Sequence, residues 1–218
     1  MASAPTRLDP SAPVTVADLL KRLGDVPARR VRLVPTPGTA TMRDLLRNNE
    51  SPLRTALCEL VERTLVEKAM GAHESFLAML IGTYLNNFVL PRNLGIVLAP
   101  DGMLRLNPGL LRAPDVSFIA WKSLPGRRMP DEPILDLAPD LAVEVLSKGN
   151  TRAEMARKVR EYFDAGTRLV WIVDHRKRVV RVYTSPRDAE TLTDADTLDG
   201  APVLPGFGLP VRELFDRE

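Results

Sequence analysis

Between Leu141 and Leu146 the chain reads Leu-Ala-Val-Glu-Val-Leu, an apolar run of strand length interrupted only by Glu144. A short run this apolar is the pattern of a strand buried on both faces, and hence of a sheet covered on both sides. Desolvating an unpaired carboxylate there is very costly, so Glu144 requires a cation, a metal or a proton. Alternation places Leu141, Val143 and Val145 on one face, and Ala142, Glu144 and Leu146 on the other. The plain alternative to a functional site is a buried ion pair with an arginine.

Two neighbours in sequence can complete a site around Glu144. Residues Thr151 to Ala165 predict a helix: Thr151 and Glu154 form a capping box, and Gly166 is the expected stop. Met155, Val159, Tyr162 and Phe163 form its buried stripe. Lys158 falls roughly 40° from Tyr162 at about 100° per residue, flanking that stripe, whereas Arg157 and Glu161 are expected to point away. Taken alone, Lys158 reads as a lysine whose stem covers apolar surface and whose ammonium reaches water. Asp115 follows Pro114 at the start of a predicted strand, Val116 to Ala120, and taken alone reads as a turn residue. Beside a buried Glu144, however, a second carboxylate at a strand edge can make a magnesium site. Mg²⁺ needs few protein oxygens because it keeps several waters, and the carbonyl of Val145 supplies a natural third one.

The rest of the pattern predicts an α/β (α+β) protein with a mixed β-sheet flanked by helices. Residues 1–50 read as an N-terminal extension with short helices at Ala17 to Leu23 and Met42 to Arg47, and residues 51–218 as the main domain. Leu57 to Val66 is a strand, or a strand and turn. A helix from His73 to Phe88 carries Phe76, Leu77, Leu80, Tyr84 and Phe88 at helical spacing, and Pro91 ends it. Gly95 to Leu98 and Met103 to Leu106 read as a hairpin around Asp101-Gly102. Lys122 to Pro139 is a Pro-rich loop. Leu169 to Val173 and Val179 to Tyr183 are strands joined by a polar turn.

Composition narrows the function classes. Thirty basic residues face 28 acidic ones, a formal charge of +2, so a nucleic-acid partner would need a local basic patch. The single cysteine, Cys58, rules out an internal disulfide and a multi-cysteine zinc site. Residues Met1 to Pro13 lack a charged start followed by an apolar run, and Phe76 to Leu85 is too short to span a bilayer. A cytoplasmic location with no membrane association is the expectation.

Several segments together resemble one family. Pro114-Asp115-Val116-Ser117-Phe118, then Pro139-Asp140-Leu141-Ala142-Val143-Glu144-Val145-Leu146-Ser147, then Lys158 with Tyr162 and Gly166, then Val170-Trp171-Ile172-Val173-Asp174 are similar to the Uma-type family of bacterial restriction-endonuclease-like proteins, within the PD-(D/E)XK nuclease superfamily. The resemblance runs from about Cys58 to Phe215. It implies a four-stranded mixed sheet with flanking helices, Mg²⁺ dependence with Mn²⁺ able to substitute, and phosphodiester hydrolysis. By the same resemblance Asp115 and Glu144 are the two acids. Leu146 stands where the superfamily has its lysine, and Lys158 on the next helix takes that role. Glu59 matches a glutamate near the start of the domain, and Glu74 is a further acidic candidate. This chain departs from the family at Glu62-Arg63, where Asp-Gly is usual.

Other signals are weaker. His73 and His175, the only histidines, are far apart in sequence, and His175 reads as solvated in a polar turn. Ser147 with His175 lacks the Gly-x-Ser-x-Gly context of a hydrolase, and Gly206-Phe-Gly208 lacks that of a dinucleotide loop. Arg152, Arg157, Arg160 and Arg176-Lys177-Arg178 could touch a phosphate backbone, or simply form a solvated face. The expectation is therefore a Mg²⁺-dependent endonuclease acting on DNA, with Asp115, Glu144 and the Val145 carbonyl as metal ligands and with Lys158 and Glu59 completing the catalytic set. Cutting both strands of a duplex would favour a homodimer. The alternatives are a non-catalytic nucleic-acid-binding or assembly module that keeps the fold, and a purely structural ion pair without metal affinity.

Overall fold

The computed structural model describes residues 15–216, so the reading of residues 1–13 as lacking a leader lies outside the described residues. The chain begins with helices α1 (Val16–Arg22) and α2 (Met42–Glu50), then strands β1 (Cys58–Val61) and β2 (Thr64–Glu67) and helix α3 (Ala72–Val89). Strands β3 (Gly95–Leu98), β4 (Leu104–Asn107), β5 (Leu110–Arg112), β6 (Val116–Ala120) and β7 (Leu141–Val145) follow, then helix α4 (Arg152–Asp164). Strands β8 (Leu169–Asp174), β9 (Val179–Tyr183), β10 (Ala189–Leu192), β11 (Thr197–Asp199) and β12 (Gly208–Pro210) lead to helix α5 (Arg212–Phe215).

The main sheet has the strand order β10-β9-β8-β7-β6-β3. The apolar Leu141–Val145 run is internal to it, parallel to β8 and antiparallel to β6, and all five residues are buried. Val143, Val145, Trp171 and Val173 pack against Leu77, Ile81 and Leu85 of α3. Ala142, Val170 and Ile172 pack against Met155, Val159 and Tyr162 of α4. The period of two thus turns Glu144 toward α4. That helix opens on the expected capping box, in which Thr151 and Glu154 each bond the other's backbone amide, and it closes at Gly166 with a φ of +106°. The architecture is the expected mixed sheet flanked by helices, although the main sheet has six strands where the resemblance implied four.

A smaller antiparallel sheet, β2-β1-β5-β4, stands beside the main one. Leu19 of α1, with Leu23 and Val26 just beyond it, covers its Val61, Val66 and Leu110, and Leu45 of α2 packs on Cys58, Leu60, Leu65 and Leu111. β5 runs into β6 through Ala113-Pro114-Asp115, so the two sheets meet beside Asp115.

Two local expectations are corrected. β3 and β4 do not form a hairpin: β3 pairs with β6 in the main sheet, and β4 with β5 in the small one. Gly95 lies so close to β6 that a Cβ would stand 2.1 Å from the Ile119 carbonyl oxygen, and the Asp101-Gly102 turn carries the chain between sheets. The buried stripe of α3 is Leu77, Ala78, Ile81, Leu85 and Val89, while Phe76 is 43% exposed. That helix is apolar in two phases, and only its contact with the sheet selects one. The Glu62-Arg63 turn survives without glycine: Val61 pairs with Thr64, and both loop residues adopt left-handed φ of 47° and 56°, as a two-residue hairpin turn of type I′ requires. No helix among the described residues is long and apolar enough to cross a membrane.

Candidate functional site

The sequence-predicted residues come together where the carboxyl end of β7, the start of β6 and one face of α4 meet. Lys158 Nζ lies 2.9 Å from both Glu144 oxygens and 3.4 Å from Glu59 Oε1. Glu59 reaches this point because Leu60 of β1 pairs with Leu111 of β5, which sets Glu59 opposite Arg112. Its Oε2 accepts from Arg112 at 2.7 Å, and its Oε1 from the Ala113 amide at 3.1 Å. Asp115 straddles Glu144 along β7: its amide donates to the Val143 carbonyl at 2.9 Å, and its Oδ2 accepts from the Val145 amide at 2.7 Å. A strand residue's amide and carbonyl point to the same side, so the Val145 carbonyl also faces the Asp115 edge. All of these side chains are buried, with 3% exposure or less for Glu59, Asp115, Glu144 and Lys158.

The electrostatics follow from that burial. Desolvation pushes the Glu144 carboxyl above its usual range; Lys158 pulls against this, while Asp115 and Glu59 add to it. Glu59 is desolvated as well, yet Lys158, Arg112, Lys68 and the Ala113 amide outweigh that cost and hold it at about 2. Burial works against the Lys158 charge, but Glu144 and Glu59 raise its pKa above the ordinary lysine value. Lys158 is therefore a fixed cation, suited to stabilising negative charge and unable to accept a proton.

Sequence reasoning missed several members of this network. Lys68, just after β2, lies 2.9 Å from Asp115 Oδ1, and Tyr162 donates to Glu144 Oε1 at 2.6 Å. Burial and the adjacent Glu144 carboxylate raise the Tyr162 pKa well above the phenol range, which keeps it a donor. Arg112 was legible in principle, because an arginine inside Leu110-Leu111-Arg112-Ala113 is the same anomaly as Glu144. Tyr162 reads as core by periodicity, and nothing local marks Lys68. Arg157 and Glu161, expected to face away, are tied in: Glu161 binds Arg112 at 2.5 Å, and Arg157 binds Glu161 at 2.5 Å and Glu62 at 3.0 Å. The small sheet and α1 cover that side of α4, which helix periodicity cannot foresee.

The remaining candidates lie elsewhere. Glu74 is buried at the start of α3, with Oε1 3.8 Å from His175 Nε2. His175 is not a freely solvated turn residue: its ring lies against that of His73, centroids 4.2 Å apart and tilted by 37°, and its side chain is 13% exposed. Of the basic residues considered for phosphate contact, Arg178 is committed to Asp194 and Asp216, whereas Arg152, Arg160, Arg176 and Lys177 are exposed.

Among the described residues, no group of three or more His, Cys, Asp or Glu side chains is arranged to hold a metal. The arrangement fits a divalent cation in a sparer way. Asp115 Oδ1 is buried and, despite Lys68 nearby, accepts no hydrogen bond of sound geometry. Asp115, Glu144 and the Val145 carbonyl edge are the residues that would supply the two carboxylates and one backbone oxygen sufficient for an ion retaining its waters.

Comparison with solved structures finds a likeness to a crystal structure described as that of "a putative nuclease belonging to DUF820" from Anabaena variabilis. The TM-score is 0.68 at 19% identity, covering 77% of this chain and 94% of that one, which shows a shared fold. Comparison with curated proteins finds no match. The model of the family Uma2, described as "Putative restriction endonuclease", matches residues 50–212, a span that contains all twelve strands of the described residues and the five predicted site residues, Glu59, Asp115, Glu144, Val145 and Lys158. With the family model matched over most of the chain, and with a fold shared with that DUF820 protein, the chain belongs to the Uma2 family.

Proposed function

We propose that this protein is a metal-dependent nuclease that hydrolyses phosphodiester bonds in DNA. The observation that carries this reading is the buried Asp115 Oδ1, which among the described residues is faced by the Lys68 ammonium but accepts no well-aligned hydrogen bond, beside a Glu144 already paired with a fixed ammonium. Asp115 and Glu144 would hold Mg²⁺ or Mn²⁺, with the Val145 carbonyl as third oxygen. A bound divalent cation supplies an activated water and Lewis acidity toward a phosphoryl oxygen. Lys158 stabilises the negative charge that grows on the phosphate, because its ammonium is preorganised and cannot relax away. Glu59 holds Lys158 in place beside Glu144, and Tyr162 orients the Glu144 carboxylate. Exposed Arg152, Arg160, Arg176 and Lys177 supply backbone-phosphate contacts without base specificity.

A second reading has its own observation: each acid of the cluster already has a cation, Asp115 with Lys68 and Glu144 with Lys158. That is what a non-catalytic nucleic-acid-binding module with a structural ion pair would show. Incubating the full chain with supercoiled and linear DNA, with Mg²⁺, Mn²⁺ or a chelator, separates the two. Metal-dependent cleavage that is lost in Asp115→Asn supports the nuclease. DNA retention without cleavage, with melting unchanged by metal, supports the binding module.

A further inference from the structure

The buried cluster contains one cation that is held differently from the others. Lys158 is gripped by both Glu144 oxygens at 2.9 Å and by Glu59 at 3.4 Å. Arg112 is gripped by Glu59 at 2.7 Å and Glu161 at 2.5 Å. Among the described residues Lys68 reaches a single carboxylate oxygen, Asp115 Oδ1, as an ion pair at 2.9 Å, and donates a hydrogen bond to the Pro100 carbonyl at 2.9 Å. It is also the least buried of the three, 8% exposed against 2% for each of the others. The oxygen it faces is the one on Asp115 that is free of backbone bonds, since Oδ2 is taken by the Val145 amide.

From this we infer that Lys68 is a tethered counter-cation: it stands at the metal-facing oxygen of Asp115 in the free protein, and a divalent ion must displace it to bind. The inference rests on the metal-site reading above and adds to it the competitor that sets the affinity. Its physical basis is charge balance in a dry site. Three anions, Glu59, Asp115 and Glu144, are already matched by neighbouring cations, and adding a doubly charged ion without releasing one leaves a buried excess of positive charge. Lys68 is the cation with the fewest partners to lose and a flexible stem with which to leave. Once displaced, its ammonium becomes available to solvent or to a phosphate at the mouth of the site. Weak resting affinity for metal and exposure of Lys68 on metal binding are then two consequences of one contact.

The test uses the full chain and Mn²⁺ alone, without nucleic acid. Calorimetric titration of wild type, Lys68→Met and Asp115→Asn gives the affinities. In parallel, brief acetylation of the wild type with acetic anhydride, followed by peptide mass spectrometry, reports on Lys68 and Lys158. The expected result is at least tenfold tighter Mn²⁺ binding by Lys68→Met and no binding by Asp115→Asn. Lys68 acetylation should rise several-fold when the wild type is saturated with Mn²⁺, while Lys158 stays protected. A wild type that binds Mn²⁺ with Lys68 as protected as before, or a folded Lys68→Met that binds no tighter, overturns the inference and leaves the metal site standing. If neither wild type nor folded Lys68→Met binds Mn²⁺, both the metal site and the inference fall. The acetylation measurement needs no variant, so it decides the matter even if Lys68→Met does not fold.

Discussion

At the residue scale, function concentrates in charges that cannot be hydrated. Lys158 places its ammonium 2.9 Å from Glu144, whereas Leu146 lies on the same strand side as Glu144 but packs with the apolar residues under α4; the proposed function gives the charge role to Lys158. Lys158→Met is therefore expected to abolish metal-dependent DNA cleavage, while Leu146→Met leaves it within a few-fold of wild type; gel assays on plasmid DNA check both. Full activity in Lys158→Met would remove the lysine from the mechanism. Glu59 makes a separate prediction in pH. Its folded pKa of about 2 lies below the ordinary 4.5, so its contribution to stability is complete above 4.5 and is lost as pH falls toward 2. Glu144, raised rather than lowered, counts in the opposite direction. The difference between wild type and Glu59→Gln isolates the first group. It should amount to about 3 kcal/mol at neutral pH and shrink across that acid window, measured by urea unfolding at a series of pH values. A gap of constant size down to pH 2 would show that Glu59 is not ionised as described.

At the scale of single elements, the β1–β2 hairpin shows how a side-chain choice can oppose local backbone preference. Arg63 holds φ at 56°, in a turn type that favours glycine, and its side chain makes just a long 3.4 Å contact to the Thr39 carbonyl among the described residues. Glu62 is better repaid, by Arg22 at 2.6 Å and Arg157 at 3.0 Å. Arg63→Gly should therefore stabilise the protein by about 0.5–1 kcal/mol: relief of the left-handed strain exceeds the extra entropy of a glycine in the unfolded chain. Thermal melts would show this as an upward shift, and a downward one would mean that Arg63 is held by more than its turn. The hairpin matters because it carries Glu59 on one strand and leads into Lys68 from the other.

At the scale of the whole molecule, residues 16–50 take part in forming the site's surroundings. Arg30 donates to Glu154 at 2.7 and 2.9 Å, to the Glu67 carbonyl at 2.7 Å and to the Gly149 carbonyl at 2.8 Å. One guanidinium thus joins the strand that precedes Lys68, the loop after β7 and the helix that carries Lys158. Thr151 adds a 2.6 Å bond to the Gly24 carbonyl, and a Cβ at Gly24 would meet Glu154 at 2.7 Å. Arg30→Met should cost about 3–5 kcal/mol, because it leaves Glu154 buried without its arginine. A chain beginning at residue 51 should fail to give a cooperative melt, because Val61, Val66 and Leu110 lose the apolar cover of Leu19, Leu23 and Val26. A soluble, cooperatively folding protein from residue 51 onward would show instead that the N-terminal segment is an appendage.

The sequence alone determined the parts whose cause is local. A five-residue apolar run made β7, a capping box and a glycine bounded α4, and an acid out of place in that run marked Glu144. Asp115 and Lys158 became legible through the motifs around them, and the sheet alternation then turned Glu144 toward the correct helix. Only the tertiary structure decided the rest, because those choices depend on neighbours that no short window contains. It set which phase of α3 is buried, which sheet receives β3 and which β4, and that His73 and His175 touch. It also brought Lys68, Arg112 and Arg30 to the acids. A lysine or arginine carries no local sign of burial: its long apolar stem allows it to stand in water or in a core, and what selects the core is an anion placed there by another strand.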